Sequence, residues 1–147
     1  MDNQELYKEI DLIQGCINRM SKNSFMVKGW ALTIFMGVIT ISKMEVINNF
    51  WLLACTVLAP YLSFWMLDAF FLHQERKYRR MYAWVIQERK KGNMEHQYNL
   101  NPKRFNADVG CWLQSFLSKT LLLFYGIPTV VIVALIARLI YLGVNCF

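Results

Sequence analysis

"LDAFFLHQERKYRR", residues Leu67 to Arg80, passes from apolar to densely basic, with one acid, Asp68, on the apolar side of the boundary. Extended backwards, the run Phe50 to Phe71 is interrupted only by Asp68. Two other blocks share its character: Phe25 to Ser42, interrupted only by Lys28, and Thr120 to Leu142, interrupted only by Arg138. At about 1.5 Å rise per residue, each block as a helix covers roughly 27 to 35 Å, the scale of a hydrocarbon layer about 30 Å thick. The chain has 147 residues, 56% hydrophobic and 15% aromatic, with a positive mean hydropathy. The expectation is an all-α integral membrane protein with transmembrane helices at 25–42, 50–71 and 120–142. An N-terminal amphipathic helix over 1–24 and a cytoplasmic helical insertion over 72–119 complete it. A soluble bundle has too little polar face to cover three such runs. Met1 to Ser24 carries four acids and no apolar centre, which excludes a signal peptide.

Charge sets the expected orientation. Lys8, Arg19, Lys22 and Lys28 lie at or before the first block, ten more Lys and Arg lie between Arg76 and Lys119, and only Lys43 and Arg138 fall elsewhere. The positive-inside rule then places the N-terminus and the middle segment in the cytoplasm. In 72–119 the ten cations face Glu75, Glu88, Glu95 and Asp108, a surplus equal to the whole net charge of +6. A polyanion belongs there, with Arg76, Lys77, Arg79 and Arg80 as the anion-binding residues. Tyr78, Tyr82, Trp84, His96 and Tyr98 are interleaved with these cations, which suits single-stranded nucleic acid. Juxtamembrane cations also suit lipid headgroups, so both ligands stay open.

Leu6, Ile10, Ile13, Ile17 and Met20 follow a 4-3-4-3 spacing, a narrow seam that wants another helix. Its partner is either a neighbouring subunit or the basic helix after the second block. With no Gly or Pro from Leu67 until Gly92, that helix should continue to about Lys91. "KKGNMEHQYNLNPKRF", residues 90–105, reads as turn and loop. After it, Val109, Trp112, Leu113, Phe116 and Leu117 make an apolar face, either a packing helix or an interfacial one with Trp112 and Phe116 as gate or anchor.

Three charges fall within apolar blocks. Lys28 and Asp68 come at similar depth and could pair, whereas Arg138 lies at the far end of the third block and snorkels outward. Asp68 reads either as an interfacial structural acid or as part of a polar pathway. Cys16, Cys55, Cys111 and Cys146 form no CxxC and have no His at metal spacing, so neither a disulfide framework nor a metal or other cofactor is expected. No Gly-rich phosphate loop, GxSxG or paired carboxylates are present, so an enzyme is not expected. Arg89 and His96 are spaced loosely like the Arg-to-His signature of HEPN-type ribonucleases, but Gly92 breaks the helix that would carry them.

The N-terminal amphipathic helix, "NSFMVKGWALTI" (residues 23–34), "LDAFFLHQER" (residues 67–76), the basic insertion and the last apolar block together resemble the small bacterial membrane effectors of anti-phage defence systems. The nearest in layout is the Hailong membrane channel effector; the membrane accessory protein of some RNA-targeting CRISPR systems is a more distant analogue. The resemblance implies a multi-pass protein of the bacterial inner membrane with a cytoplasmic N-terminus, assembled as a homo-oligomer, a tetramer in the Hailong case. It implies an ion channel or pore-forming effector gated from the cytoplasm by an oligonucleotide, the product of a partner nucleotidyltransferase. The alternative from another class is a non-conducting membrane anchor or assembly factor that recruits a cytoplasmic partner.

Overall fold

The computed structural model describes residues 3–42 and 50–144, and within them the side chains of 3, 38, 39, 41, 42, 50–57, 135, 136 and 138–144 lie outside the description. The described residues form helices and connecting turns, with no strand among them. Helices α1 (Asn3–Ser42) and α2 (Phe50–Lys90) have 40 and 41 residues, so each extends about 60 Å. They pair as an antiparallel hairpin whose rungs are Glu9 with Arg89, Lys28 with Asp68, and Phe35 with Tyr61. The 4-3-4-3 seam is satisfied within the chain: Ile13 is 1% exposed and packs with Met81 and Val85, flanked by Leu6 and Ile17. α1 runs unbroken through Ser24 and Phe25, so the amphipathic segment and the first apolar block are one helix.

α2 stops where a glycine can adopt left-handed geometry. Gly92 has φ +78°, its N–H donates to Arg89 O at 3.1 Å, and Asn93 N–H donates to Glu88 O at 3.1 Å, closing the last carbonyls. The chain then turns back along α2 through a 3₁₀ turn (Pro102–Phe105), whose first turn is capped by Asn101 Oδ1 accepting from Lys103 N–H at 3.1 Å. There follow α3 (Asn106–Val109), α4 (Trp112–Phe116), α5 (Lys119–Leu121), a π turn (Leu122–Gly126) and α6 (Ile127–Val144). The helix expected to carry Val109 to Leu117 is thus cut in two at Gly110, which has φ +75°. The π turn has a cause in the sequence: Pro128 lacks an N–H and its ring crowds the carbonyl one turn back. The carbonyl of Tyr125 is taken up by side chains instead, accepting from Thr129 Oγ1 at 2.7 Å and Tyr61 Oη at 3.2 Å.

No helix among the described residues is long and apolar enough to cross a membrane, which overturns the expected integral membrane fold with three transmembrane helices. About half of the length of α1 and α2 belongs to the polar segments 3–24 and 72–90, so the length of each helix is not that of its apolar run.

Two cores result. One gathers Ala31, Tyr61, Trp65, Ala69, Leu121 and Tyr125. The other gathers Ile13, Met81, Val85 and Phe105. Between them lies a layer of buried polar groups.

Candidate functional site

The polar layer begins beside the small residues Ala31 of α1 and Ala69 of α2. Ala31 and Ala69 are 1% and 0% exposed, and with no bulk between the helices the neighbouring Asp68 is sealed at 0%. Lys28 Nζ lies 2.6 Å from Asp68 Oδ2 and also donates to Ser24 Oγ at 2.8 Å; Ser24 Oγ in turn donates to Asp68 Oδ1. Tyr125 is buried in the adjoining core, with its hydroxyl beside the Asp68 carboxylate. The Lys28 side chain keeps 21% exposure, so the cation is wet at its edge while the carboxylate is dry. An acid in that position is tolerated only while its partners stay in place.

One turn along α2, His73 and Arg76 converge on Ser115 of α4. Arg76 Nη1 donates to Ser115 Oγ at 3.1 Å, and His73 Nδ1 lies 3.3 Å from the same oxygen. The hydroxyl thus accepts from Arg76 and shares a hydrogen bond with His73 Nδ1 whose direction follows the imidazole tautomer. Burial, reinforced by the charges of Lys77 and Arg76, pushes the His73 pKa below its ordinary value. Burial likewise lowers that of Lys77, which is 8% exposed.

A third cluster locks the far end of the hairpin. Arg89 Nε and Nη2 donate to Glu9 Oε2 and Oε1, both at 2.9 Å, with side-chain exposures of 0% and 2%. Arg89 Nη1 reaches the carbonyls of Asn93 and Glu95 at 2.6 and 3.3 Å, while Tyr98 N–H donates to Glu9 Oε1 at 3.1 Å. The 93–98 loop is therefore held through both members of one ion pair. His96 and Tyr98 sit at φ +61° and +57°, a region that non-glycine residues occupy at a cost. The guanidinium that a HEPN-like reading requires is enclosed by Glu9 and the loop carbonyls, so Arg89 and His96 form no open site.

The four cations named from the sequence divide between two faces of α2. Arg76 and Lys77 belong with His73 and Ser115, and Arg80 stands exposed one turn on. Arg79 pairs with Glu75 at 2.7 Å and lines a groove of about 520 Å³ with Gln14, Ile17, Asn18 and Tyr82. Trp112 and Phe116 turn inward: Phe116 stacks on Trp65 at 4.5 Å, and Trp65 Nε1 donates to Phe116 O at 3.1 Å. Their neighbours Leu113 and Leu117 point outward at 53% and 52% exposure. Arg138 has its side chain outside the described residues. Cys16 and Cys111 are free thiols, and no group that could hold a metal occurs among the described residues.

Glu9, Ser24, His73 and Ser115 are the polar groups that sequence reasoning passed over. His73 was within reach, since 73, 76, 77 and 80 share one helix face by i, i+3, i+4, i+7 spacing. Ser115 was not, because its approach depends on the break at Gly110.

Beyond this layer, large apolar side chains face outward on all three arms. Phe25 is 77% exposed, Trp30 62%, Met66 54%, Leu123 71% and Val130 69%. Leu32, Met36, Leu62, Val131 and Val133 add to this exposure, and contiguous exposed apolar surface marks a contact with a partner or with lipid. No protein-family model, curated protein or solved structure matches this chain.

Proposed function

We propose that the protein is a non-conducting membrane-surface anchor: its apolar half seats against lipid and its polar head stays in water to recruit a partner. The carrying observation is the outward-facing apolar surface on α1, α2 and the π-turn arm, which ends at the polar layer of Lys28, Asp68, His73 and Arg76. A lipid surface suits that distribution because acyl chains match an apolar belt without needing a single complementary face. The head is built to remain ordered through the buried Glu9–Arg89 pair. A pore of the kind the resemblance implies needs crossing helices, whereas an anchor needs only the apolar half.

The test is flotation with neutral phosphatidylcholine vesicles in high salt, where charge attraction is screened and only the apolar contribution remains. Wild-type protein is expected to float, and the double substitution Phe25→Ser with Trp30→Ser to lower the floated fraction at least tenfold. A water-soluble oligomer that ignores vesicles would assign the apolar surface to contacts between copies and end the anchor reading.

A further inference from the structure

Four basic side chains on α2, at positions 73, 76, 77 and 80, share one face, and none of them pairs with an acid among the described residues. Glu75, the nearest carboxylate in the chain, is taken by Arg79 on the neighbouring face at 2.7 Å. Lys77 has its stem buried, at 8% exposure for the residue, while its ammonium reaches solvent and makes no hydrogen bond and no ion pair among the described residues. Arg80 is exposed and likewise has no ion pair there. Arg76 uses only Nη1 on Ser115, which leaves Nε and Nη2 as donors. Holding an ammonium beside two guanidinium groups with no carboxylate is unfavourable through like-charge repulsion, and an anion that joins them relieves it. The buried Ser115 hydroxyl fixes Arg76 and His73 from the side, so the donors are positioned before any ligand arrives.

We propose that His73, Arg76, Lys77 and Arg80, closed laterally by Ser115, form a receptor for one phosphate group, and that this phosphate belongs to the headgroup of an anionic phospholipid. The inference rests on the anchor reading for its choice of lipid. The reason is position: Phe70, one turn from His73, is 45% exposed, and Leu113 and Leu117 flank Ser115 with half their surface outward. A phosphodiester at the receptor would have its acyl chains on those side chains. The Arg76 guanidinium offers a fork to two phosphate oxygens, and Lys77 supplies a point charge beneath them.

Binding is measured by flotation of the full chain with vesicles of pure phosphatidylcholine and with vesicles containing 30 mol% phosphatidylglycerol (about a third anionic lipid). Inorganic phosphate, water-soluble dihexanoyl phosphatidic acid and a 20-nucleotide single-stranded DNA (on the order of a Cas-guide length) serve as competitors. Lys77→Met and Arg76→Gln are each expected to weaken binding to the anionic vesicles about fivefold while leaving neutral vesicles unaffected. Ser115→Ala, which changes no charge, is expected to weaken it too, and Lys91→Gln at the distal tip to leave it unchanged. Dihexanoyl phosphatidic acid should compete better than inorganic phosphate. Lys77→Met preserves the buried stem and removes one of several like charges, so its thermal melt should show an intact fold.

Equal losses for Lys77→Met and Lys91→Gln, or no loss for Ser115→Ala, would reduce the effect to diffuse attraction and overturn the receptor. Competition by DNA stronger than by the soluble lipid would overturn the choice of phospholipid. Anionic-vesicle binding undiminished in Lys77→Met and Arg76→Gln overturns the receptor and leaves the anchor standing; a wild-type protein that binds neither vesicle overturns both.

Discussion

Glu9→Gln is the substitution that most sharply tests how the polar head is held. It keeps the volume and one carbonyl oxygen, so Tyr98 N–H retains an acceptor, but it leaves the Arg89 guanidinium charged and 0% exposed with no counterion. Removing one member of a buried ion pair costs about 3 to 5 kcal/mol, and the surviving bonds from Arg89 to Asn93 O and Glu95 O place this case near the lower end, about 3 kcal/mol. In a chain of this size that corresponds to a fall in Tm of about 6 to 12 °C. The assay is thermal and urea unfolding followed by circular dichroism, run as a cycle with Arg89→Met and the double variant. The double variant should not return to wild-type stability, because without Arg89 the carbonyls of Asn93 and Glu95 lose their donor, at about 1 to 3 kcal/mol for each group left unsatisfied. Amide exchange at Tyr98 should speed up in the double variant more than in Glu9→Gln. A loss below about 1 kcal/mol for Glu9→Gln would refute the reasoning, since a surface pair has that value.

Other consequences follow from the polar layer and the return arm. Lys28→Met should destabilise more than Asp68→Asn, by about 1 to 3 kcal/mol in a comparative melt, because the first leaves a carboxylate with no exposure while the second leaves an ammonium that reaches water. His73 has a depressed pKa in the fold, so the unfolded chain takes up its proton first. Its contribution is therefore present above the ordinary value of 6.5 and is lost as pH falls below that value; His73→Gln should flatten this part of the stability profile. Gly110→Ala should cost about 1 to 3 kcal/mol through the backbone alone, since φ +75° with ψ −164° is a conformation left almost entirely to glycine. Gln114→Ala, which clears the side chain that a Cβ at 110 would meet, should not restore it.

The hairpin was legible where periodicity carries it. The spacing of Leu6, Ile10, Ile13 and Ile17 specified a helix with one narrow seam, and the unbroken run to Gly92 located the end of α2 within two residues. Membrane crossing was read from apolar length alone, which does not register how much of a long helix is polar or how the arm after Gly92 folds back. The Lys28–Asp68 contact could be posed from relative depth, but Ser24 as its third member could not, because a serine at a helix crossing has no sequence signature. The basic run was visible as charge, while its division between two faces depended on which acid each arginine found. Trp112 and Phe116 had the pattern of either a packing or an interfacial helix; after the turn at Gly110, Phe116 stacks against Trp65. Glu9 and Arg89 are 80 residues apart, and nothing local announces such a pair.

The most direct measurement of the anchor reading is quenching of Trp30 fluorescence by phosphatidylcholine brominated along its acyl chains, taken as the difference between wild-type protein and Trp30→Tyr. Trp30 stands 62% exposed in the apolar half, so contact with acyl chains predicts strong quenching that is largely absent from the variant. A wild-type signal unchanged by brominated vesicles, at a protein concentration where the fold is intact, would contradict lipid as the cover of that surface.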